Sequence, residues 1–313
     1  MNFAFVFPGQ GSQSVGMMKA YDGLPAIGET FQEASDVLGQ DLWKLVDEGP
    51  ADSLNQTVNT QPVMLTAGIA VFRAWQQSGG KSPALLAGHS FGEYSALVAS
   101  GALDFHDALP LVRYRALAMQ EAVKEGEGGM AALLGLDDAL IADVCREAAQ
   151  GQVLEAANLN SPGQVVIAGH REAVLRGCEV AKSKGAKRAI MLAVSVPVHC
   201  TLMKPAADKL REHLARVTIS APQIPVIQNA DVASYNDATA IKDALVRQLY
   251  SPVRWIETVQ HFARQGMTTI VECGPGKVLG GLTRRIDGNL RSQTLHDVAA
   301  FHDALAQRLP NHP

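Results

Sequence analysis

The sequence is poor in cysteine, and none of its cysteines is spaced to work with another. Cys145, Cys178, Cys200 and Cys273 are the four in 313 residues, and no C-x-x-C pair occurs. A zinc cage, a redox motif and a disulfide scaffold are therefore excluded, and reduced buried thiols are expected. Long apolar runs are also missing. None approaches the roughly 18 residues that would read as a membrane span. The first apolar run, Phe3–Phe7, stops at Pro8 and has no basic segment before it. It does not read as a signal peptide, and a cytoplasmic protein is expected. A surplus of basic charge is absent as well. Lys and Arg number 27 against 31 Asp and Glu, for a formal net charge of −4, so the chain as a whole is no polyanion binder and nucleic acid is not an expected partner. There is no internal repeat, low-complexity stretch or Pro/Ser-rich linker. What remains is ordinary globular composition, 47% hydrophobic and 19% charged, over a length that admits two domains at about 100–200 residues each.

The apolar pattern alternates between short runs and helical periods. Phe3–Phe7 (FAFVF) reads as a buried strand, followed by the glycine-rich loop PGQGSQSVG. Gln61–Gln77 has helical spacing and ends at Gly79-Gly80; Pro83–Gly88 reads as a second buried strand; helices are expected over 92–100 and 106–123. After the polar break EGEGG near Gly126 the pattern changes. A strand over Met130–Leu136, a helix over Asp138–Ala149 and a strand over Val153–Asn158 lead to a turn at Ser161-Pro162-Gly163. A strand over Gln164–Ala168, a helix over Arg171–Lys184 and a strand over Lys187–Val194 complete β-α-β-β-α-β, a ferredoxin-like split unit. Longer elements then resume: helix Met203–Ala215, strand Pro225–Asn229, helices Ala238–Leu249 and Trp255–Gln265, strand Thr268–Cys273. Alternating strands and helices argue for a mostly parallel sheet covered on both faces. The expected layout is a large domain made of 1–126 and 196–313, interrupted by a small domain over 127–195.

Gly88-His89-Ser90-Phe91-Gly92 is G-x-S-x-G. Three fixed residues are a weak pattern, but here an expected strand runs into them and an expected helix leaves, which is the context of a nucleophile elbow. Ser90 would stand exposed at a helix N-terminus, with the Phe91 N–H placed to donate to a developing oxyanion. A serine nucleophile needs a base. His106, His170, His213, His302 and His312 lie in polar stretches that solvent exposure explains. His199, in SVPVHC after the last strand of the split unit, sits where a loop at a domain junction can reach a cleft. Taken alone it reads equally as a structural histidine. No acid between the two has a strand-end setting, so a third carboxylate is not supported. Gly9-x-Gly11 lacks the third glycine of a dinucleotide fingerprint because Ser14 stands there. Gly274-Pro275-Gly276-Lys277 has Val271 and Val278 where a phosphate loop needs Gly and Ser or Thr.

Several segments together resemble the malonyl-CoA:acyl carrier protein transacylases and the related acyltransferase domains of polyketide synthases. They are FVFPGQGSQSVGM (Phe5–Met17), TQPVMLTAGIA (Thr60–Ala70), GHSFGEYSALVASGAL (Gly88–Leu103), RALAMQEAV (Arg115–Val123), GGMAALLGL (Gly128–Leu136), ANLNSPGQVVIAG (Ala157–Gly169), SVPVHC with MKPAADKL (residues 195–210), QLYSPVRW (Gln248–Trp255) and ECGPGKVLGGLTRRI (Glu272–Ile286). They occur in the family's order, cover nearly the whole chain, and fit the stand-alone bacterial enzyme better than a synthase module. The resemblance implies an α/β fold with a large α/β-hydrolase-like domain and an inserted small ferredoxin-like α+β domain. It implies Ser90 as nucleophile, His199 as base, and Gln10 with the Phe91 N–H as oxyanion hole. Arg115 would bind the malonyl carboxylate and the Gln248 main-chain carbonyl would orient the histidine. His89, Asn158, Asn160 and Asn229 match polar positions lining the family's cleft. The resemblance also implies that Val198, the residue before the histidine, helps shape the acyl pocket; it would not by itself exclude methylmalonyl, since one methyl is worth about 1–3 kcal/mol.

Residue by residue these assignments compete with plainer ones. Arg115 on its own reads as a solvated helix arginine, Gln10 as a turn residue, Gln248 as a polar helix end, and the asparagines as turn caps. The joint pattern is what lifts them. No metal, redox group or other cofactor is expected, only malonyl-CoA and the phosphopantetheine arm of acyl carrier protein. That carrier is acidic, which points to Lys182, Lys184, Lys187 and Arg188, or to Arg284 and Arg285, as a docking patch on a monomer. Two other classes keep the same elbow. A serine hydrolase would release free acid without an acceptor, and Arg115 and the FPGQGSQ loop speak against it. A non-catalytic acyl-CoA-binding module would show a degraded elbow or no base, and Ser90 and His199 are both intact.

Overall fold

The computed structural model describes residues 2–194 and 196–306. Among these the strands are β1 Asn2–Phe7, β2 Leu85–Gly88, β3 Gly128–Leu134, β4 Leu154–Ser161, β5 Gln164–His170, β6 Arg188–Met191, β7 Val226–Ile227, β8 Met267–Glu272 and β9 Arg291–Thr294. The helices are α1 Pro25–Leu38, α2 Leu42–Glu48, α3 Ala51–Leu54, α4 Thr57–Gln77, α5 Gly92–Ala99, α6 Phe105–Ala122, α7 Ile141–Ala149, α8 Arg171–Ser183, α9 Lys204–Leu214, α10 Ala238–Gln248, α11 Trp255–Arg264, α12 Val278–Ile286 and α13 Val298–Ala306.

β1 is central in a five-stranded sheet of order β7-β2-β1-β8-β9, with every pairing parallel. Its alternation decides what covers each face. Phe3, Phe5 and Phe7 belong to one core cluster with Phe72 and Trp75 of α4; Phe5 meets both aromatics edge-on, at ring centroids 6.1 and 5.4 Å apart. Ala4 and Val6 belong to the opposite cluster, with Trp255, Val259 and Phe262 of α11. The second sheet is four-stranded and antiparallel, order β4-β5-β3-β6, which is the ferredoxin-like order. Ala131, Leu133, Val165 and Ile167 face α7 and α8, against Val144 and Val174. Met130, Val166 and Ala168 face the other way, toward Cys200. The two sheets are tied by β4, whose Leu159 N–H donates to Val253 C=O (2.9 Å) while Val253 N–H donates to Ala157 C=O (2.8 Å). All four cysteines are free and buried, and among the described residues no helix is long and apolar enough to cross a membrane.

Several elements differ from expectation. The helices over 25–54, together with β9, α12 and α13, lie outside the elements expected from the sequence. β6 ends at Met191 rather than Val194: Leu192 N–H still donates to Met130 C=O (2.9 Å), after which Pro197 packs against Gly128 so closely that a Cβ on the glycine would lie 2.5 Å from it. β7 shrinks to Val226–Ile227, because Gln228 already accepts from Val232 N–H in a turn. The helix expected from Asp138 begins as a 3₁₀ turn, with Asp137 capping Ala139 N–H, before α7 takes over at Ile141. His170 is half-buried rather than solvated, its Nδ1 accepting from Val153 N–H at 3.0 Å. His312 lies outside the described residues.

Candidate active site

The turn between β2 and α5 is built by two close approaches. A Cβ on Gly88 would stand 1.9 Å from the Gly92 carbonyl carbon, and one on Gly92 would stand 2.5 Å from the Phe7 carbonyl oxygen. No side chain fits at either place, so β2 can turn into α5 directly against the end of β1. Ser90 occupies the corner at φ 54°, a left-handed conformation rare for a residue with a side chain and held here by its surroundings. Asn229 Oδ1 accepts from Ser90 N–H and Asn229 Nδ2 donates to Gly88 C=O, each at 2.7 Å. Gln248 Nε2 donates to Ser90 C=O at 3.0 Å. The Phe91 N–H lies at the N-cap of α5, where helix geometry provides no carbonyl partner.

Ser90 Oγ is 2.7 Å from His199 Nε2, and His199 Nδ1 is 2.8 Å from the Gln248 main-chain oxygen. Nδ1 therefore carries the proton and Nε2 is the acceptor facing Oγ. The carbonyl takes the place a carboxylate holds in a Ser-His-Asp triad. His199 is also left-handed, at φ 62°, and its own N–H donates to Leu249 C=O at 3.0 Å. Burial, then the positive charge of Arg115, drives the imidazole pKa down to about 3, while the Gln248 carbonyl pulls it back up.

Arg115 is 1% exposed, so its reading as a solvated arginine is overturned: it leaves α6 on the face that packs into the protein. Its Nη2 donates to Gln248 Oε1 at 3.0 Å, its Nε has no partner, and the nearest ring is Tyr94, 5.7 Å from the guanidinium carbon. Glu93, directly after the motif, is fully buried; Oε2 accepts from Asn229 N–H at 2.7 Å and burial pushes the carboxyl up to about 7.

Ser90, Phe91, His199, Arg115, His89, Asn158, Val198 and Gln10 line a cavity of about 130 Å³. Thr57, Gln61, Met119, Met130, Leu192, Val194 and Val196 complete the wall. Gln10, His89 and Asn158 also line a second, larger groove of about 530 Å³ that runs between the loop after β1, the small sheet and the start of α12. Asn160 lies on that groove, its Oδ1 2.8 Å from His89 Nε2, and the His89 ring sits 5.4 Å from Trp255. Asn229 was expected on the cleft wall. It lies instead beneath the nucleophile, 1% exposed and fully engaged with the elbow. Gln248 likewise stands behind the base rather than on the wall. Gln61, Glu93, Met119 and Met130 were not singled out from the sequence, although each falls within a segment that carries the family resemblance.

An activated serine, a carbonyl-oriented histidine and a buried guanidinium around one small cavity define an acyl-transferring class of site. The acyl transferase domain family model matches residues 4–294, and the chain belongs to that family. It is 59% identical to the malonyl CoA-acyl carrier protein transacylase of Salmonella typhimurium over 306 residues, 97% of this chain and 99% of that protein. Among solved structures, the acyl-carrier-protein S-malonyltransferase of Burkholderia pseudomallei 1710b is 61% identical, with a TM-score of 0.96 over 98% of this chain and all of that one. A malonyl-transacylase solved in complex with a type II PKS acyl carrier protein is 53% identical, with a TM-score of 0.97 over 98% of this chain and 100% of that one.

Proposed function

We propose that the protein is an [acyl-carrier-protein] S-malonyltransferase, moving the malonyl group of malonyl-CoA to the phosphopantetheine thiol of acyl carrier protein through a malonyl-serine, and so supplying fatty acid synthesis. The observation that carries the reading is the buried Arg115, its Nε unpartnered, on the wall of the cavity that Ser90 opens into. A buried guanidinium whose nearby carboxyl, Glu93, makes no direct ion pair with it is costly, and a planar carboxylate takes two of its N–H groups at once. The cavity suits a short acyl chain ending in such a group, being well below the roughly 300 Å³ of an ordinary ligand site.

His199 Nε2 takes the Ser90 proton as Oγ bonds to the thioester carbon. The Phe91 N–H and Gln10 stabilise the oxyanion. Collapse breaks the C–S bond, and the proton leaves on coenzyme A. In the second half the pantetheine thiol gives its proton to His199, attacks the malonyl-serine, and the C–O bond breaks as Ser90 regains a proton. Every proton is accounted for, so the reaction balances with no metal or redox cofactor. The larger groove would hold the pantetheine arm. The chain is read as a cytoplasmic monomer whose small domain (127–195) interrupts a large one (1–126 and 196–313). For carrier docking, Arg284 and Arg285 are favoured. Arg285 donates to Gln164 on the groove rim, whereas Lys182 and Lys184 pair with Glu179 and Glu147 on the helices that cover the far face of the small sheet.

Intact mass after mixing with malonyl-CoA tests the reading: the protein gains one malonyl group and Ser90→Ala gains none. Labelling of Ser90→Ala would sink it. Arg115→Ala should lower kcat/KM for malonyl-CoA about 100-fold or more while changing that for acetyl-CoA far less.

A further inference from the structure

Gln248 closes α10 and is wholly buried, and all of its polar side-chain atoms are engaged between two functional groups. Its Oε1 accepts from Arg115 Nη2, its Nε2 donates to Ser90 C=O, each at 3.0 Å, and its main-chain oxygen holds His199 Nδ1 at 2.8 Å. An amide is planar with acceptor and donor on opposite corners, so these partners allow one orientation only: a flipped amide would point its NH₂ at the guanidinium and its oxygen at a carbonyl. Tyr94 and the buried Glu93 also face the guanidinium, and its Nε is free.

We propose that the Gln248 side chain is a positioning residue that couples carboxylate recognition at Arg115 to the geometry of Ser90, setting the preference for a carboxylated acyl group as well as the rate. The proposal rests on the reading that a malonyl group enters this cavity. By taking one corner of the guanidinium, Gln248 fixes the rotation of the fork and leaves the remaining donors for the incoming carboxylate. The same amide plane holds the strained Ser90 peptide, so a displacement of the guanidinium is transmitted to the nucleophile. Neutralisation of Arg115 by the carboxylate also removes one of the influences that depress the basicity of His199. A side chain that merely fills space would give none of this selectivity.

Two variants of nearly unchanged volume test it, with steady-state rates for malonyl-CoA and acetyl-CoA measured side by side. Gln248→Met keeps the main-chain carbonyl and loses both side-chain bonds. It should lower kcat/KM for malonyl-CoA about 100-fold and for acetyl-CoA about tenfold or less, a change in preference of about tenfold. Gln248→Glu places a carboxylate against Arg115, competing with the substrate's own, and should reverse the preference toward acetyl-CoA. In an Arg115→Ala background, Gln248→Met should cost no more with malonyl-CoA than with acetyl-CoA. Equal losses for both thioesters in the single variants, or additive losses in the double variant, overturn the proposal while leaving the malonyl-serine reading intact. Absence of any malonyl adduct on the unmodified protein overturns that reading instead. Gln248→Glu decides the matter where Gln248→Met does not fold.

Discussion

His199, the proposed base, is kept neutral by where it stands. Burial comes first among the causes, Arg115 next, and His89 adds a little, while the carbonyls of Gln248 and Ser251 act in the opposite direction. A histidine held near 3 rather than at the usual 6.5 or so is unprotonated throughout the neutral range, so its contribution to kcat/KM should be flat from pH 8 down to about pH 5. A pH–rate profile of Ser90 acylation checks this, and a loss centred near pH 6.5 would contradict it. At this scale the sequence points to two side chains that the fold brings within 2.7 Å of each other: G-x-S-x-G after an apolar run marks Ser90, and the family resemblance marks His199. Arg115 was the failure of local reasoning, because whether a helix arginine is solvated depends on what packs on its face, and nothing within RALAMQEAV reveals that α6 turns it inward. Asn229 failed for the same reason: its distance from Ser90 is a tertiary fact.

Among the elements, the elbow is the one that tolerates least. Gly88→Ala brings a Cβ to 1.9 Å from backbone that cannot swing aside, so destabilisation of about 3 kcal/mol or more is expected, read from the denaturant midpoint. Gly281→Ala, at a half-buried position of α12 with nothing within 4 Å of the new methyl, should stabilise by about 0.5–1 kcal/mol. Glu272 gives α12 a different sensitivity. Its Oε2 accepts from Gly280 N–H at 2.8 Å, its Oε1 has no partner, and burial raises the carboxyl to about 7. The folded chain then holds a proton that the unfolded chain releases above about 4.5, so this stabilisation is complete at low pH and is lost as pH rises through 7. Glu272→Gln, which keeps an acceptor for Gly280, should therefore gain in Tm relative to the unmodified protein as pH goes from 5 to 8; an unchanged difference refutes the shift. Element boundaries were legible where the pattern was strong, as in β1 and the β-α-β-β-α-β unit. β9 was not, since Arg291–Thr294 contains no apolar residue and is a strand only because the edge of β8 pairs with it. α1 was not read either, although its buried stripe of Ala26, Ile27, Phe31 and Ala34 has helical spacing.

In the whole molecule the acyl cavity and the larger groove lie where the small sheet's open face meets the loops after β1 and β2. That placement gives the charge distribution a direction. With a formal net charge of −4 the protein offers an acidic carrier no attractive field at long range, so the proposed docking would depend on local charge near the groove. α12 borders the groove through Val278, Leu279 and Leu282, Val278 is 50% exposed, and Lys277, Arg284 and Arg285 stand exposed on the same segment. The helices α7 and α8 lie behind the small sheet, and two of the lysines there are already paired with glutamates. Reversing charge with Arg284→Glu and Arg285→Glu together should lower kcat/KM for the carrier protein about tenfold at low salt, with the loss shrinking as ionic strength rises. Lys182→Glu with Lys184→Glu should cost no more than about twofold, since exposed pairs contribute little. Free pantetheine as acceptor separates docking from chemistry. The Arg284 and Arg285 loss should be much smaller with that thiol, which needs no protein surface. An equal loss with both acceptors would mean that these arginines act on the groove itself, and a larger loss from the lysine pair would move the docking face to the other side of the small sheet.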